Sequence, residues 1–360
     1  LALADTNDIH SSPLEPDILH TPLQTLIEFQ EKMVANQALL ERAYGSSFYG
    51  EKWKMRKGMV KDLRGRDGLQ QLPCIDGDDI LNFLKTGRSI KKGLLTKPRN
   101  WLITRGTTGD KKWLPVTLQD IERYFNRVRR LDAMYEGEGL EPEKLVWAMN
   151  EPLPRVSNAI PYLWEQADFH YGDSKLEWVI VSMDMLARNH WDQFVIKKGP
   201  QWMMSSVKDA LDFAEYIQVE KQSEVTELFS NLEKGFFWGD VLDGEGENRS
   251  VIEDHYGLDE TFSIYVSAEC REMYAECSAH DGLHVWMDDV IHEIQLNNGE
   301  ILFVDQASAG MEGEYVFTCF YEAFPLIRYK TGDLIRVVSN DRCECGITHP
   351  RVDFLGRQGE

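Results

Sequence analysis

The sequence predicts an α/β fold of layered sheets flanked by helices, followed by an additional β-rich part. Three observations carry this. Short apolar runs of strand length, at residues 101–103, 178–181, 202–204 and 236–238, are interleaved with stretches of helical spacing, the pattern of a sheet covered on both faces. After Gly282 the texture changes to successive strands at 284–296, 301–304 and 314–320, with the turn Asn297-Asn298-Gly299 joining the first two. A length of 360 residues with 42% apolar content is also enough for one large core or two smaller ones.

Taken in chain order, residues 1–20 mix Pro, Ser, Asp and His without periodicity and read as a loosely held lead-in. From 23 to about 43 the residues Leu26, Ile27, Met33, Val34 and Leu40 recur near helical spacing. A further helix is predicted to start at Thr117, whose hydroxyl caps the first turn with Asp120 in the reciprocal position, and to carry the stripe Ile121, Tyr124, Phe125, Val128 and Leu131. No internal repeat or low-complexity tract is present.

The formal net charge of -21 disfavours an extended nucleic-acid interface, which rests on neutralising phosphates. A single nucleotide is not excluded, because backbone N–H groups and one or two cations hold phosphate locally. No run approaches the roughly 18 apolar residues of a membrane span, and no secretion signal opens the chain, so the expectation is a cytoplasmic protein with no membrane partner. Cys74, Cys270, Cys277, Cys319, Cys343 and Cys345 are too few and too uneven for a disulfide framework, and their clustering points to metal.

The most informative stretch follows the run at 101–103. In Thr104-Arg105-Gly106-Thr107-Thr108-Gly109-Asp110-Lys111-Lys112 two glycines permit close backbone approach, two threonines offer hydroxyls, and Arg105 and the lysines add positive charge. Such a loop can wrap a triphosphate, although it lacks the Gly-Lys-Ser/Thr of a Walker loop. Taken alone, a Gly-Thr-Thr-Gly turn is more often a plain hairpin or loop.

Residues 105–117 (RGTTGDKKWLPVT) resemble the phosphate loop of the adenylate-forming superfamily, in particular phenylacetate-CoA ligases and coenzyme F390 synthetases; Arg105 stands where most of them carry serine. Tyr265-Val266-Ser267-Ala268-Glu269 resembles their Tyr-Gly-x-Ser/Thr-Glu element, and Arg328-Tyr329-Lys330-Thr331-Gly332-Asp333 resembles their Arg-Tyr-x-Thr-Gly-Asp segment. Gly356-Arg357 is similar to the Gly-Arg that precedes the hinge in these enzymes, and Trp238-Gly239-Asp240 is placed like a Gly-Ala-Glu-Pro turn beside adenine. The resemblance, over roughly residues 25–360, implies the fold of the large N-terminal domain of such enzymes, at 21–355, with 356–360 as a hinge to an absent C-terminal domain.

The activity so implied is ATP- and Mg²⁺-dependent conversion of a carboxylic acid, aryl or small acyl, to its acyl-adenylate with release of pyrophosphate, for transfer to coenzyme A. Tyr265 would stack on adenine, Asp333 hold the ribose, Arg357 reach ribose or phosphate, Gly239 and Asp240 line the base, and Gly106 and Gly109 cradle phosphate. Glu269 would hold Mg²⁺, with Thr107, Thr108, Lys111, Arg105 and Lys112 assisting as pyrophosphate leaves. The acyl pocket is expected near residues 202–206, Trp238 and Ser267. Without the C-terminal domain, thioester formation would be incomplete, and a homodimer is admitted. Two other outcomes stay open: an acyl-amide synthetase, and a nucleotide- or acyl-binding scaffold of reduced activity.

Cys277 and His284 lie seven apart around one turn, and Cys343-x-Cys345 lies in another. Three thiolates and one imidazole satisfy a closed tetrahedral zinc site. Some phenylacetate-CoA-ligase-like proteins place a structural zinc between these segments; His280 and His349 are alternative ligands.

Overall fold

A computed structural model describes residues 16–35, 37–53, 60, 62–85, 98, 100–103, 112–117, 119–120, 130, 134–135, 144–150, 176–182, 191–239, 242 and 248–359. The chain divides into two compact units, residues 1–126 with 284–360, and residues 127–283.

The first unit opens with helices α1 (Leu23–Ala35), α2 (Gln37–Gly45), α3 (Ser47–Trp53), α4 (Gly65–Gln70) and α5 (Gly77–Lys85). The helical spacing expected from 23 to about 43 is met by α1 and α2, and residue 36 between them lies outside the described residues. In α1 the buried side chains are Leu26, Gln30, Met33 and Val34, an i, i+4, i+7, i+8 stripe. Gln30 sits in that stripe because its amide donates to the Met287 and Val290 carbonyls at 2.7 and 2.9 Å. The expected strand at 101–103 belongs to β1 (Asn100–Ile103), which forms an antiparallel hairpin with β2 (Trp113–Val116). Thr117 and Asp120 bond reciprocally, each backbone N–H to the other's side chain, as the capping reading requires; the whole predicted stripe after Asp120 lies outside the described residues.

In the second unit β3 (Lys144–Asn150), β4 (Leu176–Ser182), β5 (Trp202–Ser206), β6 (Lys234–Trp238) and β7 (Glu260–Val266) form a parallel sheet in the order β4-β3-β5-β6-β7, and β8 (Met273–Glu276) adds antiparallel to β7. Helices α6 (Trp191–Lys198), α7 (Val207–Tyr216), α8 (Val225–Leu228) and α9 (Asn248–Tyr256) lie between successive strands. Phe213, Phe229, Phe237, Ile252 and Tyr256 share one core, each buried side chain contributing about 2 kcal/mol or more. Ser206 caps α7: its hydroxyl accepts the Asp209 N–H at 3.0 Å and donates to the Asp209 carboxylate at 2.8 Å.

After the two-residue strand β9 (Leu283–His284), the first unit resumes as an antiparallel sheet of β10 (Ile291–Leu296), β11 (Ile301–Phe303), β12 (Glu312–Cys319), β13 (Leu326–Ser339) and β14 (Arg351–Arg357), in the order β11-β10-β12-β13-β14. The unbroken strand expected at 284–296 is interrupted at 285–290. That interruption is stable because its backbone groups find partners elsewhere: Gln30 takes two carbonyls, and the Met287 N–H donates to His349 Nδ1 at 3.0 Å.

Candidate active site and metal centre

Asp333 stands on a bulge. In the β12–β13 ladder Glu314 faces Leu334, but Val316 faces Lys330, so Thr331, Gly332 and Asp333 together oppose Tyr315. Extra residues on one strand bend it and re-aim a side chain. Gly332 takes a φ of +79°, which a glycine adopts at little cost. The Thr331 hydroxyl donates to the Tyr315 carbonyl at 2.9 Å and accepts the Asp333 N–H at 3.0 Å. From β14, the register partner Arg357 donates through Nε to Asp333 Oδ1 at 2.9 Å and through a terminal nitrogen to the Thr331 carbonyl at 3.3 Å, while the Gln358 N–H donates to the Gly332 carbonyl at 2.8 Å. The structure thus brings the predicted Asp333 and Arg357 together as a largely buried acceptor and a partly exposed cation on neighbouring strands, suited to charge-assisted hydrogen bonds with vicinal hydroxyls.

In the second unit β5, β6 and β7 end side by side at Ser206, Trp238 and Val266, and ligands of open parallel sheets lie beyond such carboxyl ends. Gly239, just past β6, has a φ of +98°. Tyr265 near the end of β7 pairs across the strands with Tyr274, and their rings stack in parallel at 5.8 Å between centroids. The next turn carries Glu269: the Ser267 hydroxyl accepts the Cys270 N–H at 3.1 Å and donates towards Glu269 Oε2 at 3.4 Å, and Arg271 closes the turn with a φ of +51°. A carboxylate on a tight turn beside an aromatic platform can serve a nucleotide and a hard cation. Trp202 does not fit the expected acyl pocket. It begins β5 and is buried against Tyr135 and Phe236, leaving Ser206 as the residue of that segment at the strand end.

Arg105, Gly106, Thr107, Thr108, Gly109, Lys111 and Asp240 lie outside the described residues. Lys112 is described: it donates to the Tyr329 hydroxyl at 2.9 Å, which ties the exit of the predicted phosphate loop to β13.

Cys277 follows β8, His284 ends β9, and Cys343 and Cys345 lie between β13 and β14; the donor atoms of His284, Cys343 and Cys345, all in the first unit, lie within 4.8 Å of one another. Tetrahedral bonds of about 2.3 Å to sulfur and 2.0–2.1 Å to nitrogen put neighbouring S and N ligands about 3.6 Å apart. Cys345 Sγ and His284 Nε2 are 3.6 Å apart. His284 Nδ1 meets the His349 carbonyl at 3.3 Å, the second bond that orients a ligating imidazole and leaves Nε2 for a metal. This donor set fits a zinc site. His349 is not a substitute ligand, since Nδ1 accepts the Met287 N–H and Nε2 donates to the Ile18 carbonyl at 3.0 Å. His280 instead stacks on Phe262 and reaches Glu276 at 3.3 Å.

Two features went unread in the sequence. Arg328, in the same segment as Asp333, adopts a φ of +53° and is buried; it forks onto Glu293 at 3.0 and 2.9 Å and caps the Gln70 and Leu72 carbonyls at 2.6 Å each. Glu314 grips the bulge from β12. Neither partner lies at a helical or strand spacing from the motif, so no local signal marks them.

Scanned against profiles of known protein families, the chain matches none. It is 27% identical over 284 residues to the phenylacetate-coenzyme A ligase of Pseudomonas putida, covering 74% of this chain and 58% of that protein. It is 32% identical over 244 residues to the phenylacetate-coenzyme A ligase of Aromatoleum evansii, covering 65% of this chain and 49% of that protein. The chain therefore spans about half the length of these relatives. A solved 2-hydroxyisobutyryl-CoA ligase, in the postadenylation state with 2-HIB-AMP, superposes with a TM-score of 0.75 at 18% identity, covering 95% of this chain and 70% of that one. The sheet arrangement and this likeness define the fold of an adenylate-forming enzyme. In sequence the chain is similar to the phenylacetate-CoA ligases.

Proposed function

We propose that the chain binds ATP with Mg²⁺ and activates a small or aromatic carboxylic acid as its acyl-adenylate, for transfer to coenzyme A in the cytoplasm. Both compact units are taken as parts of one adenylation domain. The observation that carries this reading is the Thr331–Asp333 bulge, which presents a carboxylate anchored by Arg357 in the motif where related enzymes hold ribose.

A carboxylate resists nucleophilic attack at its carbon because its charge must be lost. Adenylation removes that obstacle: a carboxylate oxygen bonds to the α-phosphorus of ATP, the bond to pyrophosphate breaks, and the acyl group gains a good leaving group. No side-chain nucleophile is required, so the protein's share is positioning and charge stabilisation. Asp333 accepts the ribose hydroxyls, Tyr265 stacks on the base, and Glu269 holds the cation. Mg²⁺, when bound, offsets charge on the phosphates. The segment 104–112 supplies phosphate contacts. Cys277, His284, Cys343 and Cys345 hold a zinc ion; with all four positions filled by protein it has no open site for substrate and is structural.

ATP–pyrophosphate exchange across a panel of carboxylic acids tests the proposal, with acyl-CoA formation read on the same preparation and an amine offered as the competing acceptor. Asp333→Asn should raise the KM for ATP about tenfold or more, the worth of hydrogen bonds to a charged acceptor. Exchange that is absent with every acid, or indifferent to Asp333, contradicts it.

A further inference from the structure

The ribose-binding turn has a support of its own on the neighbouring strand. Glu314 is 8% exposed, and its two oxygens hold one residue of the bulge and the residue before it: Oε1 accepts the Gly332 N–H at 3.2 Å, and Oε2 meets Lys330 Nζ at 2.7 Å. Those residues bracket Thr331, the hydroxyl of which fixes the Asp333 N–H. The ladder itself is interrupted here, because β12 and β13 change register between Glu314 and Val316. Where cross-strand backbone pairing lapses, a side chain or water satisfies the orphaned N–H. Glu314 does so with a charge-assisted bond, stronger than a neutral acceptor would make. Gly313 beside it is equally constrained, since a Cβ there would lie 2.2 Å from the Gln295 carbonyl oxygen, and that close strand approach fixes where the Glu314 backbone sits.

We infer that Glu314 is a positioning residue for nucleotide recognition: by holding Lys330 and Gly332 it sets the geometry in which Asp333 meets the ribose, without touching the nucleotide itself. The inference rests on the ribose role of Asp333 proposed above. The carboxylate of Asp333 already has Arg357 on one oxygen, so its direction depends on both sides of the bulge, β14 through Arg357 and β12 through Glu314.

Binding of AMP and 2′-deoxy-AMP to the full chain, measured by calorimetry, separates positioning from general destabilisation. One hydroxyl bonded to a carboxylate gives wild type a preference for AMP of about tenfold. Asp333→Asn should lose most of it, which tests the ribose role. Glu314→Ala should lose it too, while remaining folded by thermal melting. Glu314→Gln, which keeps an oxygen for the Gly332 N–H but not the charge for Lys330, should retain an intermediate preference. If Glu314→Ala weakens both nucleotides equally, or Glu314→Gln behaves as Ala, the positioning role is overturned while the ribose role stands. If wild type shows no preference, the ribose role fails and takes the inference with it.

Discussion

Replacing Glu293 by alanine should be among the most damaging single changes in the 284–360 sheet. Glu293 and Arg328 are 0% and 5% exposed and bonded through both carboxylate oxygens at 2.9 and 3.0 Å. Burial raises the Glu293 carboxyl above its ordinary range, with the Arg328 charge pulling the other way, so the pair is finely balanced rather than strongly stabilising. Removing the acid leaves Arg328 with the Gln70 and Leu72 carbonyls but no counter-charge. An uncompensated buried charge costs about 3–5 kcal/mol. In a unit of about 200 residues each kcal/mol moves Tm by about 2–4 °C, so the loss is about 6–20 °C. The double variant Glu293→Leu with Arg328→Met removes both charges but also strips the Gln70 and Leu72 carbonyls of their donor, about 1–3 kcal/mol each, so it should cost clearly less than the sum of the two single variants rather than less than Glu293→Ala alone. Urea unfolding followed by tryptophan fluorescence, with the m-value checked for constancy, reads both variants. A Glu293→Ala loss below about 1 kcal/mol, or a double variant that costs as much as the two single variants together, would refute the account of a buried pair held by mutual neutralisation.

Three further outcomes follow from the same structure. Purified chain should carry about one zinc ion, matching the four protein ligands of a closed site, and chelation or Cys345→Ser should loosen the loop that clasps Ile18 through His349 and Leu19 and Thr21 through Thr348, seen as faster proteolysis or hydrogen exchange at 16–21; protection unchanged by chelation argues against a metal. His292 is buried between the Tyr315 hydroxyl and the Trp286 carbonyl, with His349, Arg66 and Asp288 around it, and desolvation depresses its pKa from 6.5 to about 3. The folded state therefore keeps it neutral where the unfolded chain binds a proton; its contribution is complete above pH 6.5 and lost as pH falls towards 3, about 2 kcal/mol by pH 5. His292→Gln should show a shallower acid loss than wild type, and parallel curves would exclude this assignment. Gly313→Ala forces a methyl against the Gln295 carbonyl and should cost about 1–3 kcal/mol; an unchanged melting curve would show that β10 and β12 separate without strain.

What the amino-acid order determined unaided is what short-range chemistry decides. The stripe Leu26, Met33, Val34 marks a helix face because 3.6 residues make a turn, and the Thr117–Asp120 pair closes on itself within four residues. The runs in β4, β5 and β6 are strands because both faces of a parallel sheet are covered. The Thr331–Asp333 turn and the Cys and His pairs stood out through their resemblance to a known family, since each by itself is an ordinary loop sequence. Tertiary structure alone decided the rest. Trp202 lies in the core, against Tyr135 and Phe236. Glu293 finds Arg328 35 positions away, Glu314 finds Gly332 18 away, and Gln30 reaches the Met287 and Val290 carbonyls from 257 and 260 positions away. Such pairs depend on strand register and on which backbone groups a bulge leaves without a ladder partner, and register is set by packing of whole sheets rather than by spacing along the chain.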